Sequence, residues 1–499
     1  MPDLLVRFAS LAGWRRWLVL VVLGVLAGLG QAPFDLWPLT LLALAAVFLL
    51  TAASQTARQS AFSMWSFGFG YFAFCLHWIV EPFLVDVARH GWMAPFALVL
   101  MGGGAALFWA LAGWVAHRVA PRNVLLLGLV LVGAEVLRAL ILTGFPWALL
   151  GHVWLDTGIA QAAAWGGPHL LSLLAVLCAW GLAALFSSVR LIGLVVIGLL
   201  LALNFVLQPG PMPNADAEAP LVRLVQPNAP QSQKWDPAYR DLFFARLLRL
   251  TGEGDAADLV VWPETSVPYL LNSLDEDVNL LADAARGAPL VFGIQRRDAE
   301  LRAYNSMVVM GPGGELQAVY DKRHLVPFGE YMPGAALLGQ AGATGLARSL
   351  GIGFTSGTVP GPLEIPGIGG AVPLICYEGI FAEEIGYGDA RPRMLLLITN
   401  DAWFGQGAGP RQHLAQARLR AIEQGLPMVR VANTGISAMI DGRGRVTAAL
   451  PLNAEGALDA RLPAALPETF YAKWGDLPAT IVLILLMILG YLIARRDSD

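Results

Sequence analysis

The chain has 499 residues, of which 56% are hydrophobic and only 14% charged, with a formal net charge of -4. That balance is too apolar for an ordinary soluble globular chain, and the absence of a basic stripe speaks against a nucleic-acid partner. Three cysteines without close spacing (Cys75, Cys178 and Cys376) argue against a disulfide framework, and no metal or cofactor motif of the HExxH or GxxxxGK[ST] type occurs.

In chain order, apolar runs of the roughly 20 residues needed to cross a bilayer lie near 12–31, 36–54, 61–81, 92–116, 123–143, 160–187 and 189–207. Residues 1–207 are therefore read as a membrane domain of seven transmembrane helices, and 477–494 as an eighth. The first run follows Arg15-Arg16 like a signal peptide, but no small-residue cleavage site follows it. Basic residues set orientation. With a cytoplasmic N-terminus, Arg7, Arg15, Arg16, Arg58, Arg118, Arg122, Arg190, Arg495 and Arg496 all fall on the cytoplasmic side. The segment between spans seven and eight then lies outside the cytoplasm. Glu135 and Arg138 sit three apart on one membrane helix and read as a structural pair, and His77 and His169 as satisfied polar groups of the bundle.

Residues 208–219, rich in Pro, Asp and Glu, read as a linker. From 220 to 470 charges return, and short β-rich runs alternate with amphipathic helices. Strands are expected at 221–226, 259–262, 290–294, 306–310, 316–320, 372–376, 395–399, 428–431 and 436–440, with helices at 239–250, 278–286 and 411–424. Gly311-Pro312-Gly313-Gly314 marks a hairpin, and Gly405, Gly407 and Gly409 a flexible loop. This alternation defines an α/β domain with a covered sheet.

Three strand ends carry chemistry. Leu374-Ile375-Cys376-Tyr377-Glu378 ends an apolar strand in a cysteine with a helix-like stretch beyond it, a setting that suits a thiolate nucleophile. Taken alone, Cys376 reads better as a core residue. Val260-Val261-Trp262-Pro263-Glu264 ends another strand in a carboxylate, either a solvated loop acid or a general base. Tyr320-Asp321-Lys322-Arg323-His324-Leu325-Val326-Pro327-Phe328-Gly329-Glu330-Tyr331 runs a hairpin strand into a basic cluster, either an exposed turn or the source of an oxyanion-stabilising lysine.

In this order the three motifs, followed by Asn400-Asp401-Ala402-Trp403-Phe404, resemble the nitrilase superfamily. The resemblance implies an αββα sandwich with a Glu264, Lys322, Cys376 triad. Together with seven spans before the domain and one after it, the whole chain resembles the apolipoprotein N-acyltransferase family, the membrane branch of that superfamily. Gln226-Pro227-Asn228, Gln231, Lys234-Trp235, Tyr304-Asn305 and Thr143-Gly144-Phe145-Pro146-Trp147 add local matches. The fold expected is thus a polytopic α-helical membrane bundle plus an α/β nitrilase-like sandwich.

The resemblance implies a multi-pass protein of the bacterial inner membrane, with the catalytic domain periplasmic and both termini cytoplasmic. It also implies ping-pong acyl transfer without a cofactor. A phospholipid, typically phosphatidylethanolamine, acylates Cys376, and the thioester passes to the N-terminal amine of a diacylglyceryl-cysteine apolipoprotein. Supporting or substrate-binding roles fall to Glu330, Glu378, Tyr377, Asn305, Trp235, Trp403 and Phe404; an ion pair is the alternative for the two glutamates and a core side chain for the aromatics. The nearly uncharged stretch 332–360 reads as a mobile arm or an ordinary covered loop. Two other readings remain beside this one. A membrane-tethered amidase shares the triad, and a transporter with an extracytoplasmic domain would need broken, charged membrane helices.

Overall fold

Each of the eight apolar runs carries a helix in the computed structural model, which describes residues 13–212, 216–274, 278–333, 353–358, 361–388 and 390–496. The first seven are α1 (Trp14–Gly28), α2 (Trp37–Ala52), α3 (Ala57–Cys75), α4 (Ala94–Val119), α5 (Val124–Leu140), α6 (Ala163–Ala184) and α7 (Arg190–Val206). Among the described residues, three stretches are long and apolar enough to span a membrane: Val87–Val119, Gly158–Ala184 and Leu477–Arg495. Ala57–Cys75 with His77–Leu84, bent by 63°, makes a fourth, and Trp37–Ala52 and Arg190–Val206 are apolar but shorter. The helix starts follow local chemistry: the Thr56 side chain accepts from Gln59 N ahead of α3, and Asn123 from Leu126 N ahead of α5. The kink in α6 falls at Gly166-Gly167-Pro168, where proline removes a helix hydrogen bond. Leu191, Leu194, Val195, Leu199, Leu201 and Phe205 of α7 are exposed, as side chains in contact with hydrocarbon would be.

Helix α1 meets α3 without intervening side chains. A β-carbon at Gly70 would lie 2.1 Å from Val21 O, and one at Gly24 2.0 Å from Phe67 O. The Glu135–Arg138 pair, 3.9 Å apart and buried, pins the loop after α5. Arg138 Nη1 donates to the carbonyls of Phe145 and, at 2.8 Å, Trp147, while Glu135 Oε1 accepts from Leu150 N at 3.1 Å. This is the structural role expected of the pair. The histidines depart from expectation in part: His77 is satisfied but exposed, and His169 is buried but not fully satisfied. His77 is exposed and contacts Phe74 O, and the buried His169 Nδ1 has no hydrogen-bond partner.

The domain between α7 and the final span is built from two six-stranded sheets. The first runs in the order β12-β1-β2-β3-β4-β5, using β1 (Leu221–Gln226), β2 (Leu259–Val261), β3 (Leu290–Arg297), β4 (Ala303–Met310), β5 (Leu316–Asp321) and β12 (Gly456–Arg461). The second runs β11-β10-β9-β8-β7-β6, using β6 (Leu363–Ile365), β7 (Gly369–Ile375), β8 (Met394–Thr399), β9 (Met428–Ala432), β10 (Ser437–Ile440) and β11 (Val446–Leu450). Each sheet has three parallel strands, β1-β2-β3 and β7-β8-β9, flanked by antiparallel ones. Met394–Ile398 of β8 are wholly buried, as strands covered on both faces are.

The sheets are joined through polar side chains between them. Ser437 Oγ donates to Gln226 Oε1 at 2.6 Å, and Asn433 Nδ2 to Ala229 O at 2.7 Å. Helices α8 (Pro237–Gly252) and α9 (Val278–Ala285) pack Phe244, Leu247, Leu250, Leu281 and Ala285 onto Val260, Trp262, Leu290 and Phe292 of the first sheet. The sandwich expected from the sequence is therefore present. Strands β6, β11 and β12 were not expected.

Helix α10 (Ala408–Gln424), which lies between β8 and β9 in the chain, forms part of the helical unit, together with α11 (Leu477–Arg496). Gln412 of α10 accepts from Trp147 Nε1 at 2.8 Å and Trp78 Nε1 at 3.2 Å and donates to Ala32 O at 3.1 Å. Arg418 donates to Asp156 at 2.8 Å. Gly409, expected in a loop, is already helical here. Because the α1–α3 approach leaves no space for a side chain, Gly70→Leu is expected to destabilise the helical unit by about 1–3 kcal/mol, read as a lower melting temperature in detergent.

Candidate active site

The three motif residues stand at the ends of β2, β5 and β7. After β2 the chain turns through Trp262-Pro263-Glu264 and buries the Glu264 carboxylate. Glu264 Oε1 accepts from Asn305 Nδ2 at 2.7 Å, and Oε2 accepts from Asn400 N at 2.8 Å. Lys322, the residue after β5, is 1% exposed, with Nζ 2.9 Å from Glu330 Oε1 and 3.7 Å from Glu264 Oε1. Burial by itself would push this lysine's pKa down. The Glu330 and Glu264 carboxylates overcome that and hold it above the ordinary lysine value, so it stays an ammonium.

Cys376 follows β7 directly. Its backbone takes φ 52°, a left-handed conformation that a non-glycine residue adopts only when its surroundings impose it. Glu378 does so by reaching back to Ile375 N at 2.7 Å through Oε2. The stretch beyond Cys376, expected to be the start of a helix, is a single 3-10 turn, Cys376–Ile380. So short a turn has little dipole to offer a thiolate. Burial pushes the thiol's pKa up, and the Glu264 carboxylate pushes it further, while Lys322 and a hydrogen bond from Thr399 oppose both. Burial and the Glu264 carboxylate thus both favour the protonated thiol.

The supporting residues fall into two groups. Asn305 and Glu330 belong to the cluster. Asn305 Nδ2 bridges Glu264 Oε1 and Glu330 Oε1, the latter at 3.2 Å, and its backbone carbonyl accepts from Lys322 N at 2.8 Å. Glu330 Oε2 also accepts from Val326 N at 2.8 Å, which fixes the loop that carries it. Glu378 is set one step back and ties the lysine loop to the cysteine turn. Its Oε1 accepts from Tyr320 Oη at 2.8 Å, Arg323 N at 2.7 Å and His324 N at 3.2 Å. Burial raises the Glu378 pKa, and the backbone donors resist that rise.

Of the aromatic candidates, Tyr377 is buried against His324 and Phe381, and Phe404 is also buried. Trp235 and Trp403 are partly exposed, at 43% and 39%, and so available to a ligand. The arm expected over 332–360 lies mostly outside the described residues. Its returning end runs along the site, with Phe354 N donating to Glu330 O at 3.0 Å and Gly357 N to Lys322 O at 2.9 Å.

Sequence reasoning missed three features. Asn400 offers its backbone N–H to Glu264, while its side chain links Gln231 and Asn433. The fully buried Asp401–Arg430 pair, at 2.6 Å, anchors the turn after β8. Lys234 turns inward to the Glu264 turn. A lysine beside a tryptophan gives no local sign of that direction. Among the described residues no cluster of three or more His, Cys, Asp or Glu is placed to hold a metal.

Paired sheets with Glu, Lys and Cys at converging strand ends define a carbon–nitrogen hydrolase domain, here carried by a helical membrane region. The carbon–nitrogen hydrolase family matches residues 221–470, and the apolipoprotein N-acyltransferase N-terminal domain matches residues 23–181. An apolipoprotein N-acyltransferase of Rhodopseudomonas palustris is 36% identical over 98% of this chain and 97% of its own length. One of Brucella suis is 37% identical over 97% and 96%. A solved carbon–nitrogen hydrolase superfamily protein of Xanthomonas campestris covers 53% of this chain and 97% of its own, with 22% identity and a TM-score of 0.37. The chain belongs to the apolipoprotein N-acyltransferase family.

Two outcomes test the site geometry. A β-carbon at Gly293 in β3 would lie 2.6 Å from Glu264 Cα and 2.4 Å from Thr265 N. Gly293→Ala should therefore displace the carboxylate and lower turnover by about 100-fold while the protein still folds. Glu378→Gln places an NH₂ against backbone donors and should cost about 1–3 kcal/mol of domain stability, read in a denaturant titration.

Proposed function

We propose that this protein moves an acyl chain from a membrane phospholipid, through a thioester on Cys376, to the N-terminal amine of a diacylglyceryl-cysteine apolipoprotein. The observation that carries the reading is the Glu264 carboxylate, fixed by Asn305 and Asn400 beside Lys322 and electrostatically coupled to the Cys376 thiol. Glu264 takes the thiol proton. The sulfur attacks the ester carbonyl, and Lys322 with nearby backbone N–H groups balances the oxyanion. The C–O bond breaks, Glu264 returns the proton to the departing oxygen, and a lysophospholipid leaves. The acceptor amine then attacks the thioester and forms the amide bond as the C–S bond breaks. Glu264 takes the amine's proton and restores the thiol.

The membrane half is consistent with such substrates. Pulling an acyl chain into water costs about 0.8 kcal/mol for each CH₂, so donor and acceptor are best met at the bilayer surface. The arginine bias of the short loops supports a domain outside the cytoplasm, with the eight helices as spans of the bacterial inner membrane and both termini inside. Phosphatidylethanolamine is the donor we infer. Partly exposed Trp235 and Trp403 suit contact with acyl chains.

Full-length protein in detergent, given phosphatidylethanolamine and a diacylglyceryl peptide, should release lysophospholipid and N-acylate the peptide. Cys376→Ala and Glu264→Gln should each lower both products by at least about 100-fold. Hydrolysis of soluble amides with no peptide acylation would support the amidase reading.

A further inference from the structure

Beneath the Glu264 turn lies a second buried lysine that the acyl-transfer steps above do not use. Lys234 is 7% exposed, and its Nζ donates to Glu264 O at 3.1 Å and Thr265 Oγ1 at 3.0 Å. It extends from the turn that precedes α8, and the partly exposed Trp235 ring lies 5.5 Å from its ammonium. Both residues line a cleft with Pro263, Thr265, Arg240 and Asn433.

The bonds account for part of this arrangement. Thr265 has φ 44°, the left-handed region that a β-branched residue rarely takes. Gly293 holds the turn through backbone bonds to Pro263 O and from Ser266 N, and Lys234 holds it through Thr265 Oγ1. A neutral glutamine could donate to the same two oxygens without the penalty of burying a charge. The positive charge therefore needs its own explanation.

Charge balance in the site supplies one. Glu264 and Glu330 carry two negative charges, and Lys322 carries one positive charge. Asp401, which also acts on Cys376, is offset by Arg430. Without Lys234 the cluster holds a net negative charge before a thiolate forms. Lys234 adds a second cation against these carboxylates, to which the buried Glu378 carboxyl behind Cys376 contributes a further acidic group. Burial pushes the Lys234 pKa down to about 8, with Glu264 and Cys376 opposing the drop.

We propose that Lys234 is a positioning residue of this site: it pins the Glu264 turn through two hydrogen bonds, and its charge offsets the second carboxylate so that Cys376 can ionise. The inference rests on the triad reading above.

The test uses full-length protein in detergent and the neutral alkylating reagent iodoacetamide. The rate of Cys376 carbamidomethylation is followed against pH by peptide mass spectrometry, which separates it from Cys75 and Cys178. Lys234→Met and Lys234→Gln should move the pH midpoint upward by about one unit and slow labelling at pH 7 about tenfold. Lys234→Arg should restore most of the rate. Lys234→Gln retains hydrogen-bonding capacity, so it carries the test if the methionine variant fails to fold. An unchanged midpoint in a folded Lys234→Gln protein overturns the role of the charge. Glu264→Gln separates the two claims, because a profile insensitive to Glu264→Gln counts against the triad itself. A profile sensitive to Glu264 but not to Lys234 counts only against this inference.

Discussion

Buried charge is the constraint on which the rest of the site depends. Glu264, Lys322 and Lys234 are withdrawn from water together, with Glu330 at their edge, and such groups are tolerated only when paired and hydrogen-bonded. Each partner comes from a different piece of chain. Asn305 comes from β4, Lys322 from the end of β5, Asn400 from the turn after β8 and Glu330 from the loop beyond Lys322. Misplacing one strand end would leave a carboxylate or an ammonium unpaired. The precision of the site therefore comes from the same interactions that hold the two sheets in register. Glu378 shows this most directly, because one carboxylate binds both the lysine loop and the strand that delivers the cysteine.

The helical half is built on a similar economy of polar groups. Among the described residues, its buried charged side chains include the Glu135–Arg138 and Arg420–Glu423 pairs. Arg138 and Glu135 close the loop after α5, and Gln412 satisfies two tryptophan N–H groups. Gln412 lies within the stretch matched by the carbon–nitrogen hydrolase family, yet its helix α10 is part of the helical unit. The membrane region is thus more than an anchor appended to a soluble enzyme: the α/β domain's own chain helps to build it.

Much of this was legible in the sequence, for specific reasons. The apolar runs gave the helices because membrane helices must bond their backbone internally. Apolar strands ending near Glu264 and Cys376 were visible because buried parallel strands are continuous apolar runs, so a polar tip stands out, whereas Lys322 follows the half-exposed antiparallel edge strand β5 and was marked by the hairpin and the basic cluster after it. Strands β6, β11 and β12 were missed because they are short or only half covered, with charged residues such as Glu364, Asp459 and Arg461 interrupting their pattern. The turn after Cys376 read as a helix because its composition permits one, while Phe381 in fact leaves the helical region within five residues. Lys234 and the Asn400 backbone N–H were beyond reach, since inward direction and main-chain donors leave no mark in residue type.

The claim most exposed to test is that Cys376 carries the acyl chain. Incubating the full-length protein with phosphatidylethanolamine of defined acyl length, without an acceptor, should add the mass of one acyl group to the peptide containing Cys376. Hydroxylamine should remove that mass, and a diacylglyceryl peptide should discharge it onto its own amine. An enzyme that N-acylates the peptide while Cys376 never gains the acyl mass would contradict the account.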